Sequence, residues 1–349
     1  MNVLHICQNY NTNLYSKLFS EVAKLKKVNQ VVFYPFISKC SYHESSKFKV
    51  YAKKSVPFYF RHFFLLRAAV NYINLRRSVN LDTIDIIHCH TLYNDGVVGL
   101  FATLFSKRKL IISVRYSDIQ IKKIKFWLWP FIYLFKHKAS KFIFISSQIK
   151  NYFSQLEGEV ICNGISKSFF TIPKNSLKTK KPQLRLLYVG RIIKRKNINV
   201  IIDFVSHKNH SLFVVGEAFP KTAWGSSQIK KLKTHQNISY VPHLETQQII
   251  EVMDKSDIFI MPSVRETFGI VYIEAMSRGL PIIYTKGTSV DGMFSSEVGI
   301  GLKSISPESI EEALNNIMSN YNYYHKNAMK EAQSYRWNNL AKQTIASYD

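Results

Sequence analysis

Short apolar runs alternate along the whole chain with longer segments in which apolar residues recur at helical spacing. Runs of strand length that are rich in β-branched and aromatic residues predict β-strands. Because these runs are almost continuously apolar, we expect parallel strands that are covered by helices on both faces. The predicted strands are residues 3–7, 30–34, 84–88, 110–114, 141–145, 160–162, 185–189, 211–215, 238–241, 258–261 and 281–284.

The alternation occurs twice, on either side of a proline- and lysine-rich segment without apolar periodicity, residues 171–183. A chain of 349 residues also exceeds the usual size of one hydrophobic core. The sequence therefore predicts an α/β protein with two doubly wound domains, residues 1–170 and 184–330, joined by a linker at 171–183. Pro307 followed by Glu308 predicts a helix start, and residues 331–349 are expected to form a helix that crosses back to the N-terminal domain.

The chain is strongly basic, with a formal net charge of +25. Residues 1–170 hold 25 Lys and Arg against 8 Asp and Glu, so the excess is concentrated in the first half. A basic surface implies an anionic partner, which could be nucleic acid, an anionic membrane or a phosphorylated substrate.

Two basic segments of the first half are rich in aromatic residues, residues 47–77 and 121–141. Cations that flank a Trp- and Phe-rich face are typical of a helix lying on an anionic membrane, whereas a core helix with a solvated basic flank has the same composition. Both interpretations remain open at this stage. The longest compact apolar stretch, residues 126–135, is too short to span a bilayer.

The chain begins with a strand-like run that has no basic, cleavable leader. Its four cysteines are scattered and have no metal-ligand spacing, which indicates reduced residues and no metal site. Taken together, these features predict a cytoplasmic protein, with the two basic segments as its contact with the inner face of the membrane.

Candidate chemistry lies in the second half. Gly190, Arg191 and Lys196 follow a predicted strand, where cations face the crevice in which α/β sheets bind ligands. The segment 265–281 follows another strand and carries Glu266 and Glu274 on either side of a predicted helix start at Gly269. A helix N-terminus offers free N–H groups to an anion, and ionised carboxylates accept hydrogen bonds from sugar hydroxyls.

These motifs resemble the retaining glycosyltransferases of family four. The resemblance rests on Glu266-x7-Glu274 with Phe268-Gly269, on Gly190-Arg191-x4-Lys196, and on Ala-Met-Ser-Arg-Gly-Leu-Pro at 275–281. It covers residues 184–301 well. In the first half it is limited to short segments at 85–90, 144–147 and 162–165. The resemblance implies the GT-B architecture, in which two Rossmann-like domains face a central cleft.

The resemblance also implies roles for individual residues. Arg191 and Lys196 would hold the diphosphate of a nucleotide-sugar donor and stabilise its charge as it leaves, and Glu266 would contact the donor sugar. No metal or cofactor is implied, because cations and helix N–H groups would neutralise the diphosphate. The implied donor-binding residues are Gly190, Gly216, His243, Leu244, Phe268, Gly269, Ile270 and Glu274.

The first half departs from the family pattern. The loop at residues 8–13 has no glycine, and the segment after the fourth strand has Arg115 where the family often has a histidine. His90, Arg115 and Asp118 are candidates for contact with an acceptor. Arg115 and Asp118 could instead form a structural ion pair, and His90 could instead be a buried, hydrogen-bonded imidazole. Both alternatives remain open.

The function that the resemblance implies is sugar transfer from a UDP- or GDP-sugar to a hydroxyl of a glycan or polyprenyl-diphosphate-linked acceptor, in capsule, O-antigen or other polysaccharide synthesis. A basic nucleic-acid-binding or -modifying protein is the alternative that the charge favours, although the sequence has no helix-turn-helix, zinc or RNA-binding motif. A GT-B nucleotide-sugar epimerase and a catalytically silent relative are further alternatives.

Overall fold

The computed structural model describes residues 1–37, 40, 44–60, 63–124, 128–171, 183–264, 266, 268–288 and 290–349. The side chains of residues 58 and 122–124 are outside this description. The chain divides into an N-terminal domain, residues 1–164 with 337–349, and a C-terminal domain, residues 165–336. Most of the predicted linker, residues 172–182, lies outside the described residues.

The elements alternate between strand and helix in both domains. The strands are β1 (Asn2–Ile6), β2 (Asn29–Phe36), β3 (Lys49–Lys54), β4 (Ile86–Cys89), β5 (Lys109–Val114), β6 (Lys141–Phe144), β7 (Gly158–Val160), β8 (Arg185–Val189), β9 (Ser211–Val215), β10 (Ile238–Val241), β11 (Ile258–Ile260), β12 (Ile282–Thr285) and β13 (Gly299–Leu302). The helices are α1 (Asn13–Lys24), α2 (Phe64–Ser78), α3 (Gly96–Thr103), α4 (Tyr116–Ile124), α5 (Trp129–Lys138), α6 (Ser147–Tyr152), α7 (Ile198–Ser206), α8 (Ala223–Thr234), α9 (Thr246–Lys255), α10 (Ile270–Ser277), α11 (Pro307–Ser319), α12 (Tyr321–Ala332) and α13 (Trp337–Ala346).

In the described part of the N-terminal domain, seven parallel strands form one sheet in the order β3-β2-β1-β4-β5-β6-β7. Successive strand residues point to opposite faces. Val3 packs on one face with Val22 of α1 and Leu340 of α13. Leu4 packs on the other face in a cluster that includes Phe135 of α5. Both faces are therefore buried, as the apolar runs predict.

The C-terminal domain has the same design, with six parallel strands among its described residues in the order β10-β9-β8-β11-β12-β13. The central strand β8 is fully buried at Leu186, Leu187 and Tyr188. Helix α11 begins at Pro307, where the Ser306 hydroxyl accepts from the Ser309 N–H, so the predicted helix start is confirmed.

Two edge strands were not predicted. β3 lies within the segment 47–77, which we expected to be helical, and it pairs along the free edge of β2 from Val31–Lys49 to Phe36–Lys54. The expectation of a helix from Lys47 is wrong because this edge supplies backbone partners that the sequence pattern does not show. β13 pairs similarly with β12. β7 begins at Gly158, two residues before the predicted run, because residues 158–160 pair with β6.

The C-terminal domain begins at residue 165, before the predicted boundary at 170. The Arg278 guanidinium, which is almost fully buried, donates to both carboxylate oxygens of Asp254 at 2.8 Å and to the carbonyl oxygens of Phe169 and Thr171. The Ser277 hydroxyl also donates to the Phe169 carbonyl. These bonds fasten the segment 169–171 to helix α10.

Residues 337–349 belong with the N-terminal domain. Trp337 packs in its core, and an added Cβ at Gly164 would lie 2.5 Å from the Trp337 ring. Among the described residues, no helix is long and apolar enough to cross a membrane.

Replacing Arg278 with glutamine should destabilise the C-terminal domain, because it leaves the buried Asp254 carboxylate without its cation. We expect a loss of roughly 3–5 kcal/mol and a Tm lower by on the order of 10 °C in calorimetry of the full chain. Lys208→Gln is the matched control, since the Lys208–Glu311 pair is exposed and such pairs contribute about 1 kcal/mol or less. Equal Tm shifts in the two variants would contradict the structural role of Arg278.

Candidate functional site

Strand order brings the candidate residues of the C-terminal domain to one edge of its sheet. From β8 the chain continues to β9 on one side, and from β11 it continues to β12 on the other, so the strand order reverses between the neighbours β8 and β11. A crevice forms at such a switch point, outside the carboxyl ends of the strands. Gly190, Arg191 and Lys196 follow β8, and Glu266 and Gly269 follow β11. We call these five residues the switch-point cluster.

Hydrogen bonds hold the loops after β8 and β11 together. The Asn197 side-chain amide donates to the Pro262 carbonyl at 2.7 Å, and the Val264 N–H donates to the Arg195 carbonyl at 2.9 Å. The Thr288 hydroxyl, after β12, donates to the Ser263 carbonyl at 2.9 Å. The crevice is thus bounded by loops that support one another.

The Lys196 ammonium lies inside this crevice, 3.3 Å from Glu266 Oε2, and both side chains are about nine-tenths buried. It also donates to Met261 Sδ at 3.1 Å. Burial lowers the pKa of Lys196, and the Glu266 carboxylate opposes that change. Arg195 approaches the same carboxylate oxygen at 4.0 Å. Two cations therefore surround one carboxylate, which leaves an excess of positive charge.

Two glycines make room for this arrangement. A Cβ on Gly190 would lie 2.6 Å from the Lys196 ammonium, and a Cβ on Gly216 would lie 2.0 Å from the Gly190 carbonyl oxygen. The Ile192 N–H donates to the Glu217 carbonyl at 2.8 Å, which joins the loops after β8 and β9. A larger residue at 216 must displace the backbone of the loop after β8, and a larger residue at 190 must displace the Lys196 ammonium. Arg191, between these contacts, is exposed.

Helix α10 begins at the crevice. Gly269 is its N-cap in the left-handed conformation, φ 72°, which glycine adopts without strain. The first N–H groups of the helix have no acceptor within it, so they can bind an anion. Ile270 is partly exposed, whereas the Phe268 ring is buried near Tyr335. Glu274 is half-buried, one turn into the helix.

His243 and Leu244 lie at the carboxyl end of β10, at the outer edge of the same sheet. His243 is exposed, with its Nε2 3.4 Å from Glu245 Oε1. Glu245 and Gln248 form a capping box at the start of α9. The structure therefore places these two residues on the predicted side of the sheet, on an exposed loop.

In the N-terminal domain, two of the three candidates are enclosed. Asp118 is fully buried, where its carboxylate accepts from the N–H groups of Arg115 and Tyr93. His90 is also buried, and its Nε2 lies 3.1 Å from His5 Nδ1, so it is the buried, hydrogen-bonded imidazole that was the alternative to an acceptor contact. These bonds of Asp118 are with the backbone, and the charge of Arg115 partly opposes the rise that burial causes in the pKa of Asp118. Arg115 is partly exposed, at the carboxyl end of β5.

Three buried imidazoles, those of His5, His88 and His90, have ligand nitrogens within 4.8 Å of one another. Such a cluster could hold a metal ion, but hydrogen bonds already engage most of its nitrogens. His5 lies between Gln30 Oε1 and His90 Nε2, and His88 lies between the hydroxyls of Ser113 and Tyr348. Burial lowers the pKa of His5 to about 3 and the pKa of the other two well below its usual range. The cluster is therefore neutral at pH 7 and structural.

Sequence reasoning missed Asp95, which also lies at this edge. Its carboxylate is buried and accepts from the Gln8 N–H at 3.1 Å and the Thr91 hydroxyl at 3.0 Å. Burial raises the pKa of Asp95 to about 7 and the pKa of Asp118 to about 6. The position of Asp95 before an apolar helix identifies an N-cap residue, but no local pattern shows that it is enclosed.

Family models match almost the whole chain. Residues 23–169 match the family described as Glycosyltransferase Family 4, and residues 170–334 match the family described as Glycosyl transferases group 1. Among curated proteins, the chain is similar to the capsular polysaccharide biosynthesis glycosyltransferase CapM of Staphylococcus aureus. The identity is 25% over 250 residues, which cover 64% of this chain and 65% of CapM.

Solved structures share the fold. Sucrose-phosphate synthase from Thermosynechococcus elongatus superposes with a TM-score of 0.74 at 15% identity, covering 100% of this chain and 98% of that chain. Anabaena Alr3699/HepE in complex with UDP-glucose superposes with a TM-score of 0.67 at 16% identity, covering 99% and 100%. At these identities the likeness shows the fold, which is α/β of the GT-B type.

The raised pKa of Asp95 has a consequence for stability. Its pKa is higher in the folded than in the unfolded chain, so the folded state loses stability as pH rises from about 4 to about 7. Asp95→Asn cannot ionise. We therefore expect the Tm of this variant, relative to wild type, to rise by several °C between pH 5 and pH 8 in scanning calorimetry. Asp118 and the histidines are present in both proteins, so the difference reports the ionisation of Asp95 together with its repulsion from Asp118. A pH-independent difference would contradict an ionising buried Asp95.

Proposed function

We propose that the chain, a GT-B glycosyltransferase whose two halves belong to the glycosyltransferase family 4 and group 1 families, is a retaining and metal-independent enzyme. Its donor is a nucleoside diphosphate sugar. The observation that carries this proposal is the buried Lys196–Glu266 pair at the switch point of the C-terminal sheet. UDP is the favoured nucleotide, since the structurally similar HepE binds UDP-glucose, and GDP is the rival.

Positive charge replaces a metal ion in this proposal. Arg191 and Lys196 contact the donor diphosphate, and the backbone of Phe268, Gly269 and Ile270 at the start of α10 contacts the sugar or the phosphate. As the sugar leaves, negative charge grows on the diphosphate, and these fixed groups stabilise it without reorganising. The low exposure of Lys196 strengthens its interaction with that charge.

The two glutamates bind hydroxyls. Glu266, held beside Lys196, accepts from hydroxyls of the donor sugar, and Glu274 accepts from the ribose. Gly216, His243 and Leu244 flank the nucleotide base at the carboxyl ends of β9 and β10. The acceptor hydroxyl attacks from the face that the nucleotide leaves, with a donor phosphate oxygen as the base, so the configuration is retained. No side-chain nucleophile takes part.

The acceptor is a hydroxyl of a glycan or of a polyprenyl-diphosphate-linked glycan. CapM, to which the chain is similar, is a glycosyltransferase of capsular polysaccharide biosynthesis. We propose a role of the same kind, in capsule, O-antigen or related polysaccharide synthesis.

Transfer or slow hydrolysis from a panel of UDP- and GDP-sugars should proceed in EDTA. Glu266→Gln should lower kcat/KM by roughly 100-fold or more, because it removes a contact to the sugar and the counter-charge of Lys196. Glu251→Gln, on the exposed side of α9, is the matched control and should retain full activity. Full activity of Glu266→Gln, or an absolute need for a divalent metal, would refute the proposed donor site.

A basic, aromatic surface lies on the N-terminal domain. Helices α2 and α5 contact each other through the rings of Phe64 and Phe131, whose centroids are 6.5 Å apart. Large apolar side chains remain exposed on both helices, including Phe63 at 61% and Tyr133 at 67%. We define the α2–α5 surface by its exposed apolar residues, which are Phe63 just before α2, Leu65, Leu66 and Ile73 of α2, and Trp129, Tyr133 and Leu134 of α5.

The charged residues of the two segments that contain these helices are basic. The sequence contains no Asp or Glu at residues 45–81 or 119–156, and cations occupy the last turns of both helices. Exposed aromatic residues beside cations complement an anionic lipid surface. We propose that the α2–α5 surface binds the inner face of the cytoplasmic membrane, so that the enzyme is cytoplasmic and peripheral there.

Flotation with liposomes tests this surface. The protein should float with vesicles that contain anionic phospholipid and should not float with purely zwitterionic vesicles, and a Trp129→Ser, Tyr133→Ser double variant should partition roughly tenfold less. Tyr323→Ser, which removes an exposed ring of the C-terminal domain, is the control and should float normally. Equal recovery from both lipid types, or retention on duplex DNA in preference to anionic vesicles, would overturn the membrane assignment in favour of another partner.

A further inference from the structure

Helix α3 is buried between α2 and α5, on one face of the N-terminal sheet. The ring of Phe101 lies 6.0 Å from the ring of Tyr72 in α2, and a Cβ on Gly96 would lie 3.4 Å from the ring of Phe135 in α5. Every residue of α3 except Phe101 is buried. The chain leaves this packing at Leu104, at the amino edge of the sheet, where the strands begin.

The turn that follows α3, residues 104–107, is fastened on two sides. The Lys138 ammonium, on the last residue of α5, donates to the Ser106 carbonyl at 3.1 Å. Arg108 Nε, just after the turn, donates at 2.8 Å to the carbonyl of Leu81, which lies three residues beyond α2. The 104–107 turn is therefore held between the C-terminal ends of α2 and α5.

This turn presents apolar side chains to solvent. Phe105 is 96% exposed, which is more than any member of the α2–α5 surface, and Leu104 beside it is also exposed. A single exposed apolar residue is ordinary on a protein surface. Here two of them project together from a backbone that hydrogen bonds hold in place, on the same face of the sheet as the α2–α5 surface.

Cations flank the turn on both sides. They are Arg76 and Arg77 in the last turn of α2, Lys136 and Lys138 in the last turn of α5, and the exposed Lys107 of the turn itself. The aspartates that follow α2 have partners at this edge, since Asp82 pairs with Arg108 at 2.8 Å and Asp85 accepts from the Asn2 N–H at 2.7 Å. The projecting ring thus lies among cations.

We propose that the 104–107 turn inserts Phe105 into the acyl region of an anionic bilayer, while the cations of the two helix ends contact the lipid headgroups. A projecting apolar tip with cations around its base complements an apolar layer beneath an anionic one. The inference rests on the proposed membrane binding by the α2–α5 surface, and it adds a second point of contact outside that surface.

Two contact points determine how the N-terminal domain lies on the membrane. α2 and α5 begin at the carboxyl edge of the sheet, where Phe63 and Trp129 are exposed, and they end at the amino edge, where Phe105 projects. α2 has 15 residues, which corresponds to a length of about 22 Å. A bilayer that contacts both ends of these helices lies along the strands, so the carboxyl edge faces along the membrane surface rather than into it.

Quenching by brominated lipid tests insertion at each point. Phe63→Trp, Phe105→Trp and Phe219→Trp each add one indole to the four native tryptophans of the full chain. On vesicles of phosphatidylglycerol and acyl-brominated phosphatidylcholine, we expect the quenched fraction of the fluorescence to exceed the wild-type fraction for Phe63→Trp and Phe105→Trp. It should fall below the wild-type fraction for Phe219→Trp, because this exposed position of the C-terminal domain stays in water.

Partitioning onto the same vesicles without bromine measures the energetic effect. Phe105→Ser should partition roughly tenfold less than wild type, because a ring leaves the acyl region, whereas Phe105→Leu should stay within about threefold of wild type. Phe219→Ser is the matched control and should partition normally. An unchanged Tm and unchanged donor hydrolysis in solution show that each variant is folded.

Three results would overturn the inference. Extra quenching of Phe63→Trp without extra quenching of Phe105→Trp would remove the second contact point and leave the α2–α5 surface in place. Failure of wild type to bind these vesicles would remove membrane binding as a whole, and donor hydrolysis would still report the transferase function separately. Equal loss of partitioning in Phe105→Ser and Phe105→Leu would indicate a partner that needs the ring itself, as a stacked nucleic-acid base does.

Discussion

The contact between the Lys196 ammonium and the Glu266 carboxylate determines much of the C-terminal domain's carboxyl edge. Neither charge would be stable in this position alone, because burial without a partner is costly for both. The pair connects the loop after β8 to the loop after β11 across the switch point of the sheet. Gly190 leaves space for the ammonium, and Gly216 leaves space for the Gly190 carbonyl, so the loops after β8 and β9 pack closely beside the buried pair.

The N-terminal domain uses the same edge of its sheet differently. Its buried histidines are neutral and hydrogen-bonded, and its buried carboxylates accept from backbone N–H groups and a hydroxyl. Arg115 is held by the His90 carbonyl and the Asn163 side chain. At this edge, one domain thus pairs its buried cation with a carboxylate, and the other holds its arginine through a backbone carbonyl and a side-chain amide.

The interior strands could be predicted because each is a short apolar run in the sequence. The switch-point residues could be predicted because glycines, cations and glutamates follow these runs at short spacing. β3 and β13 could not be predicted, because each becomes a strand by pairing with the edge of its neighbour, and β13 also contains Gly299 and Gly301. The enclosure of Asp118 and Asp95 depends on side chains distant in sequence.

The motif residues Ser277, Arg278 and Gly279 resemble site residues in sequence, but the structure gives them packing roles. Ser277 and Arg278 bind the segment 169–171, and a Cβ on Gly279 would lie 2.3 Å from the His325 ring.

The central claim is that fixed positive charge at this switch point binds a nucleoside diphosphate without a metal ion. Calorimetric titration of UDP and UMP in EDTA, with wild type and Lys196→Gln, tests it most directly. Wild type should bind UDP at least tenfold more tightly than UMP, because the second phosphate contacts Lys196, and the variant should lose most of that difference. Equal preference for UDP in the variant and wild type, or UDP binding that requires added Mg²⁺, would contradict it.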